Sequence, residues 1–260
     1  MSTGQTLLKI KSSTVLEALE TQGLAILPPS DVEEVLRFFA NEVVPIKVVM
    51  LDPWYNKGYG GQRKDYLRYL HKLITLASKV APHIFLWGFP EIIAPVVGAL
   101  PNTLTLNAWL TWYYKNNPSV IRGWRPAQMA CLHLTRPDAE LYPEHFLNDK
   151  QLEKMRAGKL RYIPAPPTVI EHPLHIGFVG RKEQTGHPAQ KPEAVFEVLY
   201  KMTTKPGDVV LDPMAGSGTT GAVARKLGIK SILNDHNEEY VTMMERRLNV
   251  KRVSANQDNT

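Results

Sequence analysis

The sequence predicts an α/β protein with a mostly parallel sheet, helices on both faces and a circularly permuted chain order. The stretch 207–221 (GDVVLDPMAGSGTTG) combines a short apolar strand, a glycine turn and a helix start, the local pattern of a Rossmann-like ligand-binding unit. Two further apolar strands, 46–51 and 83–88, precede it. Such a unit normally opens its domain, yet this chain ends soon after it, so the rest of the sheet must come from upstream.

The composition is that of an ordinary folded protein with a basic surface. Hydrophobic residues make up 43% of the 260 residues and the net charge is +6, which favours a polyanionic partner. The single cysteine, Cys131, excludes an intrachain disulfide and fits a cytoplasmic protein. No apolar run is long enough to span a bilayer, and the amino terminus lacks a secretory signal. We therefore expect a cytoplasmic protein without membrane contact.

The first half of the chain alternates helices with strands. A helix over 14–20 should end at Gly23, and the next helix should begin with a capping box from Ser30 to Glu33. Both are expected to be scaffold. The apolar runs 46–51 and 83–88 predict buried strands, 91–98 predicts a helix, and 104–114 alternates like a strand.

The four residues after the strand 46–51 are Asp52-Pro53-Trp54-Tyr55, at the end where open α/β sheets bind their ligands. An exocyclic amine of adenine or cytosine is a poor nucleophile, because its lone pair is delocalised into the ring. The carboxylate of Asp52 and the carbonyl of Pro53 could accept the two amine hydrogens and free that lone pair, while Tyr55 could stack on a flipped base. The alternative is an ordinary Asp-Pro turn with an aromatic packed beneath it.

The stretch 92–137 contains no Asp or Glu, although it holds several cations interleaved with aromatic residues. Unopposed cations beside aromatics are typical of a nucleic-acid groove. Some of the aromatics must belong to the core, because the strand 104–114 alternates. We predict DNA contacts from Lys115, Arg122 and Arg125, and from Lys57 in the glycine-rich loop 56–61.

The stretch 136–187 is rich in proline and histidine and has no clear periodicity, apart from one short helix near 149–157. Its histidines lack metal-ligand spacing and cysteine partners, so no metal site is expected. Helices are predicted over 193–202 and 238–248, on either side of the glycine turn.

The strand of the 207–221 stretch ends at Asp212, beside the glycine turn. A dinucleotide would place its pyrophosphate there, whereas a fixed negative charge suits a cationic ligand such as S-adenosylmethionine. The next strand, 229–234, leads to Asp235, at the distance along the chain where a carboxylate binds a ribose hydroxyl pair. A nicotinamide-dependent oxidoreductase is the alternative, and Asp212 argues against it.

Three motifs together resemble a known family. The stretch 211–248, beginning LDPMAGSGTTG, resembles motifs I and II of the DNA amino-methyltransferases, GHPAQKPEAVFEVLY at 186–200 resembles their motif X, and DPWYN at 52–56 resembles the catalytic motif IV. Their order is that of the beta class, and the resemblance covers roughly 46–248. Trp54 departs from the commoner second proline of motif IV.

The resemblance implies a permuted Rossmann-like S-adenosylmethionine-dependent methyltransferase fold. Its parts would be a catalytic half at 1–135, a target-recognition insertion at 136–187 and a cofactor-binding half at 188–260. Catalytic residues would be Asp52, Pro53, Trp54 and Tyr55. The expected cofactor-binding residues are Gln190, Lys191, Pro192, Asp212, Pro213, Met214, Gly216, Ser217, Gly218, Thr219 and Asp235.

The activity implied is methyl transfer from S-adenosylmethionine to N6 of a flipped adenine in double-stranded DNA. Cytosine N4 is the nearest alternative, although the N4 members more often carry serine at the Asp52 position. RNA methylation and an inactive nucleic-acid-binding protein are further alternatives. Cytosine C5 methylation is excluded, because it needs a cysteine nucleophile and Cys131 lies in an apolar strand. A homodimer and a cognate restriction endonuclease are possible partners in this family.

Overall fold

The computed structural model describes residues 10–56, 61–121 and 123–254. An eight-stranded sheet forms its centre, with the order β1-β8-β7-β2-β3-β5-β4-β6. The strands are β1 (Leu24–Ile26), β2 (Ile46–Leu51), β3 (His83–Gly88), β4 (Thr105–Tyr113), β5 (Gln128–Thr135), β6 (Val169–Glu171), β7 (Val209–Asp212) and β8 (Lys230–Leu233).

Eight α-helices connect or flank these strands within the described residues. They are α1 (Ser12–Gln22), α2 (Val32–Asn41), α3 (Tyr66–Val80), α4 (Pro90–Val97), α5 (Asp149–Arg156), α6 (Glu193–Thr203), α7 (Thr219–Leu227) and α8 (Glu238–Leu248). None of the helices in this part of the chain is long and apolar enough to cross a membrane.

The strand order confirms a mostly parallel, permuted sheet. β7 comes late in the chain, yet it lies in the centre of the sheet and pairs in parallel with β2 and with β8. β2 also pairs in parallel with β3, whereas β5 runs antiparallel to its neighbours β3 and β4. The carboxyl ends of β2 and β7 therefore lie side by side at one edge of the sheet.

Helices cover both faces because the central strands are apolar on both sides. In β2, Val49 and Leu51 pack into the core that includes residues of α1 to α4, whereas Val48 and Met50 pack into the core that includes residues of α6 and α7. β3 divides its side chains in the same way. This two-sided burial explains why β2 and β3 appear in the sequence as continuous apolar runs.

Two details differ from the sequence-based expectations. α2 is capped by Asp31, whose carboxylate accepts from Glu33 N at 2.8 Å, while the Ser30 hydroxyl donates to Pro28 O instead. The predicted capping box at Ser30 is therefore wrong by one residue. In addition, the stretch predicted to lack regular strands contributes β6, which pairs in parallel with β4.

Candidate active site

A cavity of about 600 Å³ opens at the carboxyl ends of β2 and β7. The register that pairs Val49 with Leu211 places Asp52 and Asp212 at this same edge. The segments 52–55, 187–191 and 212–217 contribute to the wall, as do Asp31 at the start of α2 and Tyr240 on α8. Three stretches that are separate in sequence thus meet around one space.

Most of the predicted cofactor residues line this cavity. They are Gln190, Lys191, Asp212, Pro213, Met214, Gly216, Ser217, Thr219 and Asp235, and all four residues of the 52–55 motif line it as well. Pro192 and Gly218 do not line it. Pro192 instead precedes the first turn of α6, and Gly218 precedes the first turn of α7.

Two neighbouring side chains approach the glycine turn so closely that they require glycine at positions 216 and 218. Gly216 has φ +49°, and a Cβ there would lie 2.8 Å from His187 Nε2 across the cavity wall. Gly218 has φ +76°, and a Cβ there would lie 3.0 Å from Cγ of Met244 on α8. Gly216 therefore shapes the cavity, whereas Gly218 allows α7 to pack against α8.

Asp235 holds the glycine turn in place. Its Oδ2 accepts from Gly216 N at 3.0 Å, and its Oδ1 accepts from Asn237 N at 3.0 Å. Each carboxylate oxygen has further lone pairs, so the side chain retains acceptor capacity towards the cavity that it lines.

Asp212 is buried at the end of β7. Its Oδ2 accepts from Thr220 Oγ1 at 2.5 Å and its Oδ1 accepts from Met214 N at 3.2 Å. Burial raises the pKa of Asp212 to about 7, even though these two hydrogen bonds favour the charged form. The expectation of a fixed negative charge is thus corrected: near neutral pH the carboxyl group is close to its midpoint.

The buried ammonium group of Lys191 contacts both Asp52 and Tyr55. Lys191 Nζ donates to Asp52 Oδ2 and lies 3.3 Å from the Tyr55 hydroxyl oxygen. Asp52 Oδ1 is buried and has no hydrogen-bond partner among the described residues. Burial raises the pKa of Tyr55 to about 12, so the phenol is neutral. The carboxylate has one oxygen committed and one with unused acceptor capacity.

Trp54 packs against α3 and so links the 52–55 motif to that helix. Its ring centroid lies 5.2 Å from that of Tyr66 and 5.4 Å from that of Tyr69, and its carbonyl accepts from the Tyr66 hydroxyl. The residue that departs from the family pattern therefore has packing partners on the neighbouring helix.

Tyr55 also lines a second, larger cleft of about 1290 Å³, so its side chain contacts both spaces. The rings of Tyr55 and Phe89 pack edge to face with centroids 4.8 Å apart. Tyr113 and Arg125 also line this cleft. Tyr55 thus stands between the smaller cavity and a wide groove whose lining includes several aromatic residues and Arg125.

The predicted DNA-binding residues differ in their surroundings. Arg125 lines the larger cleft. Lys115 is exposed but forms an ion pair with Glu171 on β6, with Nζ and Oε1 2.7 Å apart, so the expectation that it is unopposed is wrong. Lys57 and Arg122 lie outside the described residues. Among the aromatics, Trp112 and Tyr114 are buried, whereas Trp124 is 81% exposed.

Sequence reasoning missed a polar network behind the glycine turn. Arg247 on α8 donates to Ser217 O at 3.0 Å and Thr219 Oγ1 at 3.2 Å, and it pairs with Glu193 Oε1 at 2.8 Å. The sequence places Arg247 at the end of a predicted helix, and its partners are distant in the chain, so no local pattern reveals them. Gln190 is engaged locally, since its Oε1 accepts from Thr185 N at 2.9 Å.

Comparison with known proteins gives one family. A family model described as DNA methylase, of the N6/N4 methyltransferase type, matches residues 13–246. Type II methyltransferase M.HpaI of Haemophilus parainfluenzae is 30% identical over 221 residues, covering 78% of this chain and 68% of that protein. DNA adenine methyltransferase YhdJ of Escherichia coli (strain K12) is 33% identical over 158 residues, covering 56% of this chain and 53% of that protein.

The fold is similar to that of a solved structure. The PvuII DNA methyltransferase, described as cytosine-N4-specific, superposes with a TM-score of 0.64 at 18% identity, covering 92% of this chain and 90% of that one. At this identity the likeness concerns the fold alone.

The two glycines Gly216 and Gly207 offer a matched pair of variants. Both have positive φ, but a Cβ on Gly207 would meet nothing within 4 Å. We expect Gly216→Ala to weaken S-adenosylmethionine binding by about tenfold or more, ~1.4 kcal/mol, because its methyl group displaces His187. Gly207→Ala should carry a similar backbone strain without that loss. Calorimetric titration measures both, and equal affinities would contradict this role of Gly216.

The pKa of Asp212 predicts a stability effect with a definite sign. A carboxyl whose folded pKa of about 7 exceeds its unfolded value stabilises the fold at low pH, and this contribution is lost as pH rises through 7. Asp212→Asn mimics the protonated form, so its gain in Tm over the wild type should be larger at pH 8 than at pH 5. We expect the difference to be about 4 °C or more, from ~1.4 kcal/mol per pKa unit and ~2–4 °C per kcal/mol. Thermal unfolding without cofactor measures it, and equal gains at both pH values would contradict it.

Proposed function

Since the chain belongs to the N6-adenine/N4-cytosine family of S-adenosylmethionine-dependent DNA amino-methyltransferases, we propose that it methylates N6 of adenine in double-stranded DNA. The observation that carries the proposal is the position of the 52–55 motif on the smaller cavity, with Tyr55 at its end lining the larger cleft as well. The smaller cavity suits the cofactor in size and polarity, and the larger cleft suits a flipped base. The motif stands where the two reactants would meet.

The cofactor residues fit this assignment. Asp235 retains acceptor capacity for ribose hydroxyls, and Asp212 offers a carboxyl to the cationic methionine end. Because Gly216 has no side chain, His187 can lie against the glycine turn in the wall of this cavity. When bound, S-adenosylmethionine supplies a methyl group on a sulfonium, from which it leaves readily.

The chain's own residues would activate the amine. Asp52 and the Pro53 carbonyl accept the two amine hydrogens, which draws the nitrogen out of conjugation with the ring. The activated nitrogen would bond to the methyl carbon that S-adenosylmethionine supplies, with S-adenosylhomocysteine as the leaving group, and the surplus amine proton would be lost to water. Tyr55 would stack on the base, a role that its place on both spaces supports.

Adenine is favoured over cytosine by Asp52, because the N4 members of the family more often carry serine at this position, and an ionised carboxylate accepts strongly from an amine hydrogen. The similarity to a relative described as a DNA adenine methyltransferase also supports adenine.

A duplex would lie over the larger cleft. The acid-free stretch 92–137 supplies part of its wall, including Arg125, and Trp124 stands exposed in the same hairpin. The segment 136–187 remains our candidate for target recognition, although its β6 belongs to the central sheet. A homodimer and a cognate restriction endonuclease also remain predictions.

The product is the first test of this proposal. Duplex DNA and RNA are incubated in parallel with the protein and an isotopically labelled methyl donor, and the nucleosides are analysed by mass spectrometry. We expect label in N6-methyladenine from DNA. Label in N4-methylcytosine would contradict the choice of base, and label only in RNA would contradict the choice of nucleic acid.

The salt dependence of DNA binding tests whether the larger cleft contacts the phosphates of DNA. If Arg125 contacts a phosphate, Arg125→Ala should reduce the slope of log affinity against log salt by about 0.9. Lys79→Ala is the matched control, because Lys79 is exposed in the last turn of α3. This turn lies near the amino end of β3, whereas the cleft lies at the carboxyl ends of β2 and β3. An unchanged slope in Arg125→Ala would contradict a phosphate contact.

A further inference from the structure

Lys191 is a charged side chain in an unusual position. It is only 3% exposed, and it lies just before α6 in the carboxy-terminal part of the chain. Its Nζ donates to Asp52 Oδ2 and lies 3.3 Å from the Tyr55 hydroxyl. The same atom lies 5.1 Å from the ring centroid of Trp87. Both polar partners therefore belong to the proposed catalytic motif.

The charges of this pair balance each other. Burial alone would lower the pKa of Lys191, but Asp52 and Tyr55 outweigh it and raise the pKa above its ordinary value. The lysine is therefore an ammonium ion, and its removal from water is offset by the Asp52 carboxylate. Together the two side chains add no net charge to the cavity that they line.

We propose that Lys191 is a positioning residue: it holds Asp52 Oδ2, leaves Oδ1 as the acceptor for the target amine, and cancels the Asp52 charge next to the cofactor sulfonium. The inference rests on the proposed function, because in-line methyl transfer requires the sulfonium to lie close to the amine that Asp52 binds. It assigns Lys191 to the orientation of Asp52, beyond the contact with the methionine end of the cofactor that the resemblance implies.

The ion pair of Asp52 with Lys191 predicts how a change of charge at Asp52 affects the binding of S-adenosylmethionine. If Asp52 loses its charge, the Lys191 ammonium is left uncompensated in a site of low dielectric. It then repels the sulfonium of S-adenosylmethionine, whereas the neutral sulfide of S-adenosylhomocysteine carries no such charge. The ratio of the two dissociation constants therefore reports the balance of charge, while the parts that both ligands share cancel.

The experiment is calorimetric titration of both ligands with the wild type, Asp52→Asn, Lys191→Met and the double variant. Asp52→Asn keeps the shape of the side chain and should weaken S-adenosylmethionine at least tenfold more than S-adenosylhomocysteine. The double variant removes both charges, so the ratio should return to within about threefold of the wild type. Lys191→Met alone should shift the ratio towards S-adenosylmethionine, and the surface control Lys79→Met should not change it.

A ratio in the double variant equal to that of Asp52→Asn would overturn the proposal, because Lys191 would then contribute no charge at the sulfonium. A second measurement addresses positioning: with both substrates saturating, Lys191→Met should lose at least tenfold in kcat although it still binds the cofactor. A wild-type kcat in that variant would also overturn it.

The same titrations separate this proposal from the proposed function. A wild-type protein that binds neither ligand would contradict the methyltransferase assignment itself. A wild type that binds both and methylates DNA, with an unaltered ratio in the variants, would contradict only the role of Lys191.

Discussion

The parallel pairing of β2 with β7 is the constraint on which the site depends. These strands are far apart in the chain, yet their register brings Asp52 and Asp212 to one edge of the sheet. The loop before α6 then passes over this edge, and Lys191 reaches Asp52 across it. The catalytic motif and the cofactor loop therefore share one cavity because of a backbone ladder, and the permuted order of the chain leaves that geometry unchanged.

Three of the carboxyl groups that line the cavity are stabilised in different ways. Asp52 is balanced by Lys191, Asp212 titrates near neutrality because it is buried, and Asp235 is held by two backbone N–H groups. A cationic ligand can shift Asp212 towards its charged form, which couples cofactor binding to the loss of a proton.

Sequence patterns predicted the elements that depend on local signals. The bounds of β2, β3 and α8 agree with 46–51, 83–88 and 238–248, since two-sided burial produces uninterrupted apolar runs and α8 has a clear polar start. β6 was missed because its three residues are largely exposed and its position depends on pairing with β4. The partners of Lys191 and Lys115 were missed for the same reason, since neither Asp52 nor Glu171 is near them in sequence.

A crystal structure with sinefungin, in which a carbon that bears an amine replaces the sulfonium that bears the methyl group, tests the arrangement of the site most directly. We expect the adenosyl group in the smaller cavity with its ribose on Asp235, the sinefungin amine within hydrogen-bond distance of the Asp52 carboxylate, and Lys191 still paired with Asp52. A ligand bound outside this cavity, or an Asp52 carboxylate that has left Lys191 and points away from the amine, would contradict it.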